Sequence, residues 1–193
     1  MKSTISLTSL AASAGTAHGA VVAAASLGSK SKARPGIPPM SKYVAHLRDL
    51  ANIPQQDFDK LNQIVTLATE KPTRTLSETL SQIRQINKGL QQKPDKVHPL
   101  VLAISSIADD SAATASPAES GSTKTPRKSS VATTIKTVAA DVAGAVLGAI
   151  AGARVTKEID IILVAAIGGA MLASAKVGAG EPFPNIGAAI VIE

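Results

Sequence analysis

The chain has 193 residues, of which 45% are hydrophobic and 2% aromatic, and a formal net charge of +6 at pH 7. It contains no cysteine, which excludes disulfides and thiolate metal sites. A core must therefore be built from Leu, Ile, Val and Ala, and it is thin unless other chains or lipid add to it. The basic charge permits contact with nucleic acid or anionic lipid and establishes neither.

Residues 1–40 form a Ser- and Ala-rich basic leader or arm. No Asp or Glu precedes Asp49, and residues 3–29 carry no charged side chain. Three interpretations stay open: a signal peptide with a weak apolar region, an acid-free export or targeting leader, and a tail that becomes ordered only against a neighbour.

Residues 41–110 are predicted to form a small bundle of four short helices. Ser41 is placed to cap the first helix, Pro54 suits the first turn of the second, and Asp57 and Asp59 complement its dipole. The segment 75–78 has the spacing of a capping box for the third helix. Apolar residues recur three and four apart, as in amphipathic helices: Val44, Leu47, Leu61, Ile64, Leu80, Ile83, Leu100, Ile104.

Residues 111–135 have the Ser, Thr and Pro content of a linker. Lys124, Arg127 and Lys128 form a basic contact patch within it. Nucleic-acid binding is disfavoured, because no aromatic residue near the patch can stack on a base. The tail 181–193 contains a turn and then either a short strand or an extended segment.

Residues 136–180 are predicted to form a helical hairpin in which small residues recur every fourth position. Such residues lie on one helix face and let two backbones approach closely, as in a glycine zipper. We expect this face to mediate helix packing or oligomerisation through Gly144, Gly148 and Gly152 in the first helix and Ala165, Gly169 and Ala173 in the second.

The two uncharged runs of the hairpin, 142–153 and 161–175, are 12 and 15 residues long, which is short for membrane spans of about 20 residues. Asp141, Asp160 and Lys176 lie at their ends. The sequence leaves open a constitutive two-span protein, a hairpin that inserts conditionally, and a hairpin that packs inside a large assembly without meeting lipid.

No pattern in the sequence indicates catalysis. His18, His46 and His98 lie in separate segments and lack metal-ligand spacing, and His46 with Asp49 is interpreted as a solvated polar pair. The adjacent acids Asp109 and Asp110 cannot face each other on a helix. Phosphate-binding and dinucleotide-binding motifs are also missing, so the sequence predicts no catalytic residue, metal site or cofactor.

The sequence therefore predicts a mainly α, non-enzymatic protein: a four-helix segment and a Gly/Ala-rich hairpin joined by low-complexity linkers. Its predicted function is membrane activity of the exported effector, translocator or pore-forming type. The alternative is a structural component of a multichain assembly such as a virion. The expected partners are further copies or other protein subunits and an anionic membrane, and the expected location is a membrane or a large assembly.

Overall fold

The computed structural model describes residues 37, 39–70, 75–115, 131–179, 181 and 183. Within these ranges the chain is mainly helical and has no strand, which confirms the predicted fold class. A 3-10 turn at Pro94–Lys96 precedes the fourth of six α-helices. The helices are α1 Ser41–Ala51, α2 Gln55–Thr69, α3 Leu76–Gln91, α4 Pro99–Ala115, α5 Val131–Val155 and α6 Ile159–Gly178.

Helix continues into both ends of the segment predicted as a linker, because α4 reaches Ala115 and α5 begins at Val131. Ser111 and Ala112 are buried, so tertiary packing overrides the linker-like composition there. The basic patch of Lys124, Arg127 and Lys128 lies outside the described residues. So do the leader up to residue 36 and the predicted strand near the C-terminus.

Helix α5 is the centre of the fold. It contacts α1, α2, α4 and α6, and every residue from 138 to 150 is buried. A helix that is apolar all round must be covered on all sides, and the amphipathic helices supply apolar faces to do so. One hydrophobic core thus runs from the four-helix segment into the hairpin, with Leu47, Leu61, Ile104 and Ile150 among its fully buried members.

The N-terminal caps predicted for the helices are partly correct. The capping box is confirmed: the Thr75 side chain accepts from the Glu78 backbone N–H at 3.3 Å, and the Thr75 N–H donates to the Glu78 carboxylate at 2.9 Å. The prediction that Ser41 caps α1 is wrong. Met40 occupies the cap position, where its side chain is buried in the core and its carbonyl accepts from Val44.

Asp57 does more than complement the dipole of α2, since it joins α2 to the start of α4. Its Oδ2 accepts from the His98 backbone N–H at 2.7 Å, and Asp57 is 8% exposed. The His98 ring in turn caps α4, because Nδ1 accepts from the Leu100 N–H at 3.3 Å. Burial lowers the pKa of His98, while the charge of Asp57 and a hydrogen bond to the Ala51 backbone act in the opposite direction.

A lowered pKa means that folded His98 binds fewer protons than unfolded His98 just below pH 6.5. We therefore expect the free energy of unfolding to fall as the pH drops from about 7.5 to about 5. His98→Asn keeps a helix-capping oxygen and cannot titrate, so it should lose less stability over this interval. Urea denaturation at both pH values measures the difference.

The matched control is His46→Asn, which removes an imidazole from α1. If His98→Asn and His46→Asn change the pH dependence equally, the partly buried cap at His98 is not its source.

Candidate functional site

The candidate site is the α5–α6 hairpin, whose two helices are joined by residues 156–158. The turn is held by hydrogen bonds from the Thr156 N–H to the Gly152 carbonyl and from the Glu158 N–H to the Thr156 hydroxyl, both 3.0 Å long. Because the connection is so short, the two helices must lie antiparallel along each other.

Glycines of α5 touch the backbone of α6 directly. A Cβ atom added at Gly148 would overlap the carbonyl oxygen of Ala165 and lie 3.1 Å from the Cα of Gly169. One added at Gly144 would overlap the carbonyl oxygen of Gly169 and lie 2.6 Å from the Ala173 Cβ. Real Cβ atoms essentially never approach so closely, so these positions have room for glycine alone.

The contact extends to the turn, where a Cβ added at Gly152 would lie 2.9 Å from the Ala165 Cβ and 3.1 Å from the Ile162 Cα. All six small residues singled out in the sequence therefore meet along one line within a single chain. The glycine face of α5 is filled by α6 of the same chain. A role of this face in joining separate copies stays a prediction.

Gly168 lies beside this contact and is not among the residues that the sequence assigns to it. A Cβ added there would have nothing within 4 Å, because Gly168 faces outward from α6. The sequence spacing already indicates this outward position. Gly168 is four residues from Val164 and from Leu172, so it belongs to a different row from that of Ala165, Gly169 and Ala173.

Asp141 lies in the interior of α5, so the prediction that places it at the end of a shorter helix is wrong. It is 0% exposed, and its Oδ2 accepts from the Ser111 hydroxyl of α4 at 2.6 Å. A buried carboxylate is costly unless it is hydrogen-bonded, and Ser111 supplies such a bond. The uncharged run 142–153 underestimates the length of α5 because the run stops at Asp141.

Asp109 of α4 takes part in a polar contact between α4 and α3. Asp109 accepts from the Asn87 side-chain amide at 2.8 Å, and the Ser105 hydroxyl donates to the same amide's oxygen at 3.0 Å. Arg84 lies 3.8 Å from Asp109. These bonds form a polar seam between α3 and α4, in which the carboxylate accepts hydrogen bonds from its neighbours.

The His46–Asp49 pair expected from the sequence does not form. The Nε2 of His46 lies 3.2 Å from the Nη2 of Arg154 at the end of α5, and Asp49 pairs with Arg48 at 3.0 Å. Among the described residues, no group of three or more His, Asp or Glu side chains could hold a metal ion.

A cavity of about 700 Å³ opens between α2 and α3. Its lining is rich in glutamine and lysine, and Asp57, already bonded to His98, is the acidic residue among the described residues that line it. The cavity therefore lacks a pair of carboxylates for acid–base chemistry. Its lining includes Gln56, Lys60, Gln63, Gln82, Gln85 and Lys93.

Both hairpin helices are long and apolar enough to cross a membrane, judged by length and composition alone. The segments are Ile135–Val155 with 21 residues and Ile159–Gly178 with 20. They differ in packing, since the apolar window of the first is 83% buried and that of the second 39%. A buried core helix of a soluble protein passes the same test, so α6 is the more informative of the two.

Comparison of the sequence with protein-family models and with curated proteins found no match, and comparison with solved structures found none either.

Gly148→Ala is expected to destabilise the fold by about 1–3 kcal/mol, since the new methyl group overlaps the Ala165 carbonyl and forces α5 and α6 apart. Gly89→Ala on α3 is the matched control, because a Cβ there meets nothing within 4 Å. It should stabilise the helix by about 0.5–1 kcal/mol. Chemical denaturation compares the two, and equal effects would contradict the backbone contact.

Ser111→Ala removes the hydroxyl that donates to buried Asp141 and should lower the free energy of unfolding by about 2 kcal/mol. Ser106→Ala, also on α4, loses an exposed bond from Gln91 and should cost about 0.5 kcal/mol or less. Thermal denaturation of both variants is the measurement. If Ser111→Ala costs no more than Ser106→Ala, the bond to Asp141 contributes little to stability.

Proposed function

We propose that the protein is non-enzymatic and membrane-active, and that it acts by inserting the α5–α6 hairpin into a lipid bilayer. Exported effectors, translocators and pore formers work in this general way. The observation that carries the proposal is the hairpin itself: two consecutive apolar segments of 21 and 20 residues, in contact through their backbones. A span of the hydrocarbon core needs about 20 largely apolar residues.

The two kinds of contact that α5 makes respond differently to lipid. Apart from the Ser111–Asp141 hydrogen bond to α4, its contacts with α1, α2 and α4 are mainly apolar burial, which is driven by water and loses that drive among lipid tails. Its contact with α6 is close backbone packing, which is the kind that holds helices together in membranes. We infer that the hairpin leaves the bundle as a unit, with Gly144, Gly148 and Gly152 acting as a glycine zipper.

Three of the remaining helices suit the membrane surface. Helices α1, α2 and α3 each combine buried apolar residues with exposed polar ones, and the chain carries a net charge of +6 that comes from residues outside the four bundle helices. Amphipathic helices of a basic protein lie in the interface and are attracted to anionic lipids. We therefore propose an anionic membrane as the target and a membrane-associated location for the active form.

Charged residues of the hairpin set the energetic barrier to its insertion into the bilayer. The turn region carries Arg154, Lys157, Glu158 and Asp160, which must pass through the bilayer if both helices span it. Asp141 lies inside the first span, and a charged residue near a helix centre costs about 2.5–3.5 kcal/mol on insertion.

Flotation of the purified full-length protein with vesicles tests the proposal. Anionic and zwitterionic vesicles are compared at neutral and at acid pH, and protease protection reports whether α5 and α6 are shielded by lipid. We expect co-flotation with anionic vesicles. Protein that stays in the soluble fraction under all four conditions contradicts a membrane function.

A reversible crosslink between α4 and α5 should block insertion. The chain has no native cysteine, and the Ser111 hydroxyl donates to the Asp141 carboxylate at 2.6 Å, so Ser111→Cys with Asp141→Cys is the pair chosen for the crosslink. The oxidised variant should bind vesicles without protecting the hairpin from protease, and reduction should restore protection. Mass spectrometry verifies the disulfide, and the Ser111→Cys single variant is the control.

If the oxidised and reduced forms protect the hairpin equally, α5 does not need to leave α4. Insertion by the proposed route is then excluded, even where the protein binds vesicles.

A structural role in a multichain assembly, such as a virion, is a second candidate function. The observation that favours it is the outer side of α6, where Ile161, Val164 and Leu172 are between 47% and 59% exposed. In an assembly this apolar surface would be covered by a neighbouring subunit. Sedimentation of the protein without lipid distinguishes the two functions, because large particles would form in water under the assembly hypothesis.

A further inference from the structure

The outer side of α6 carries a row of residues spaced four apart that ends in opposite charges. The row is Asp160, Val164, Gly168, Leu172 and Lys176. Val164 is 59% and Leu172 48% exposed, although both are large apolar side chains. Residues four apart form a continuous ridge on a helix, and such ridges are what helices use to pack against each other.

Gly168 lies in the middle of this row, and no contact among the described residues explains why this position is a glycine. A glycine inside a helix is less stable than alanine, and elsewhere in the hairpin close backbone contact compensates for this. At Gly168 a Cβ would meet nothing within 4 Å, so the described residues gain nothing from the missing side chain. A helix of another molecule could pack closely at Gly168, because its backbone could approach the backbone of α6 there.

We propose that two copies of the chain dock along α6, antiparallel and crossing at Gly168. Gly168 lies at the middle of α6, which runs from Ile159 to Gly178. Val164 and Leu172 lie four residues to either side of it, or about 6 Å along the axis, and Asp160 and Lys176 lie eight residues away, or about 12 Å. A two-fold axis at Gly168 therefore brings Val164 to Leu172 and Asp160 to Lys176.

Charge selects the antiparallel arrangement. In a parallel pair Asp160 would meet Asp160 and Lys176 would meet Lys176, which is repulsive, whereas the antiparallel pair also aligns the helix dipoles favourably. Lys176 already bonds Glu181 of its own chain. An ammonium group has three donors, so it can also donate to the Asp160 carboxylate of the other copy.

In water a second copy matches this surface. Its own Gly168 lets the two backbones approach, and its Lys176 and Asp160 pair with the acid and the base at the ends of the row. The pairing concerns the protein in water and does not depend on membrane insertion. One helix face per copy is a small interface, so the dimer is expected to be weak and reversible.

Gly168→Leu separates dimerisation from folding. Among the described residues a Cβ at this position meets nothing within 4 Å, so the variant should fold with unchanged thermal stability, but its side chain blocks the crossing point of the dimer. Sedimentation equilibrium from micromolar to millimolar concentration should show a reversible dimer for the native protein. The dissociation constant of Gly168→Leu should be at least about tenfold higher. The matched control, Gly89→Leu, places the same side chain at another open helical glycine and should leave the dimer unchanged.

Two further measurements define the geometry. Gly168→Cys should form a disulfide-linked dimer on mild oxidation, because the axis brings the two thiols together, while Gly89→Cys should not. Asp160→Lys should weaken the dimer, because the lysine introduced in one copy would lie near Lys176 of the other. Glu158→Lys makes the same change of charge just outside the row and should have a smaller effect.

A native protein that stays monomeric throughout the concentration range overturns the proposal. A dimer that tolerates Gly168→Leu overturns it as well, as does equal crosslinking of the two cysteine variants. If the native protein is monomeric and Gly168→Leu alters flotation alone, the row faces lipid. That outcome removes the dimer while the membrane function stands.

Discussion

The backbones of α5 and α6 touch at Gly144, Gly148 and Gly169, and no side chain fits between them. This contact fixes α6 on one side of α5 and leaves the rest of the α5 surface to be covered by other helices. Since α5 is apolar on every side, α1, α2 and α4 must each turn an apolar face toward it. Asp141, an acid deep in this helix, is held by a hydrogen bond across the core from Ser111.

The shortage of aromatic residues makes this contact more important. Aromatic side chains usually supply the largest packages of buried area, and here they form 2% of the chain. Stability must then come from many small contacts at close range. Small residues allow two helices to exchange more such contacts per turn than large ones would, because the backbones themselves become packing surfaces. The core is therefore dense where Gly and Ala meet, and a partly buried polar seam that includes Asn87 and Asp109 joins α3 and α4.

Adjacent glycines of α6 serve opposite sides of one helix. Gly169 faces inward, where the backbone of α5 occupies the space beside it, whereas Gly168 faces outward between Val164 and Leu172. The hairpin thus has an inner contact that is complete within the chain and an outer apolar surface that is not. The proposed membrane activity and the proposed pairing of copies both use this difference: the inner contact would keep the hairpin together, and the outer surface would meet a second copy or lipid. Bundle helices α1, α2 and α4 cover the other side of α5 in water.

The sequence by itself determined the helical class, the positions of the hairpin and of the capping box at Thr75, and the six small residues that meet between α5 and α6. Each follows from spacing within a few turns of chain. Only the tertiary structure decided that Asp141 lies inside a long helix rather than at its end, because its partner Ser111 is thirty residues away. It also decided that Asp57 bonds the start of α4, and which glycine faces outward. Packing between distant segments determines such facts, and local periodicity carries no information about them.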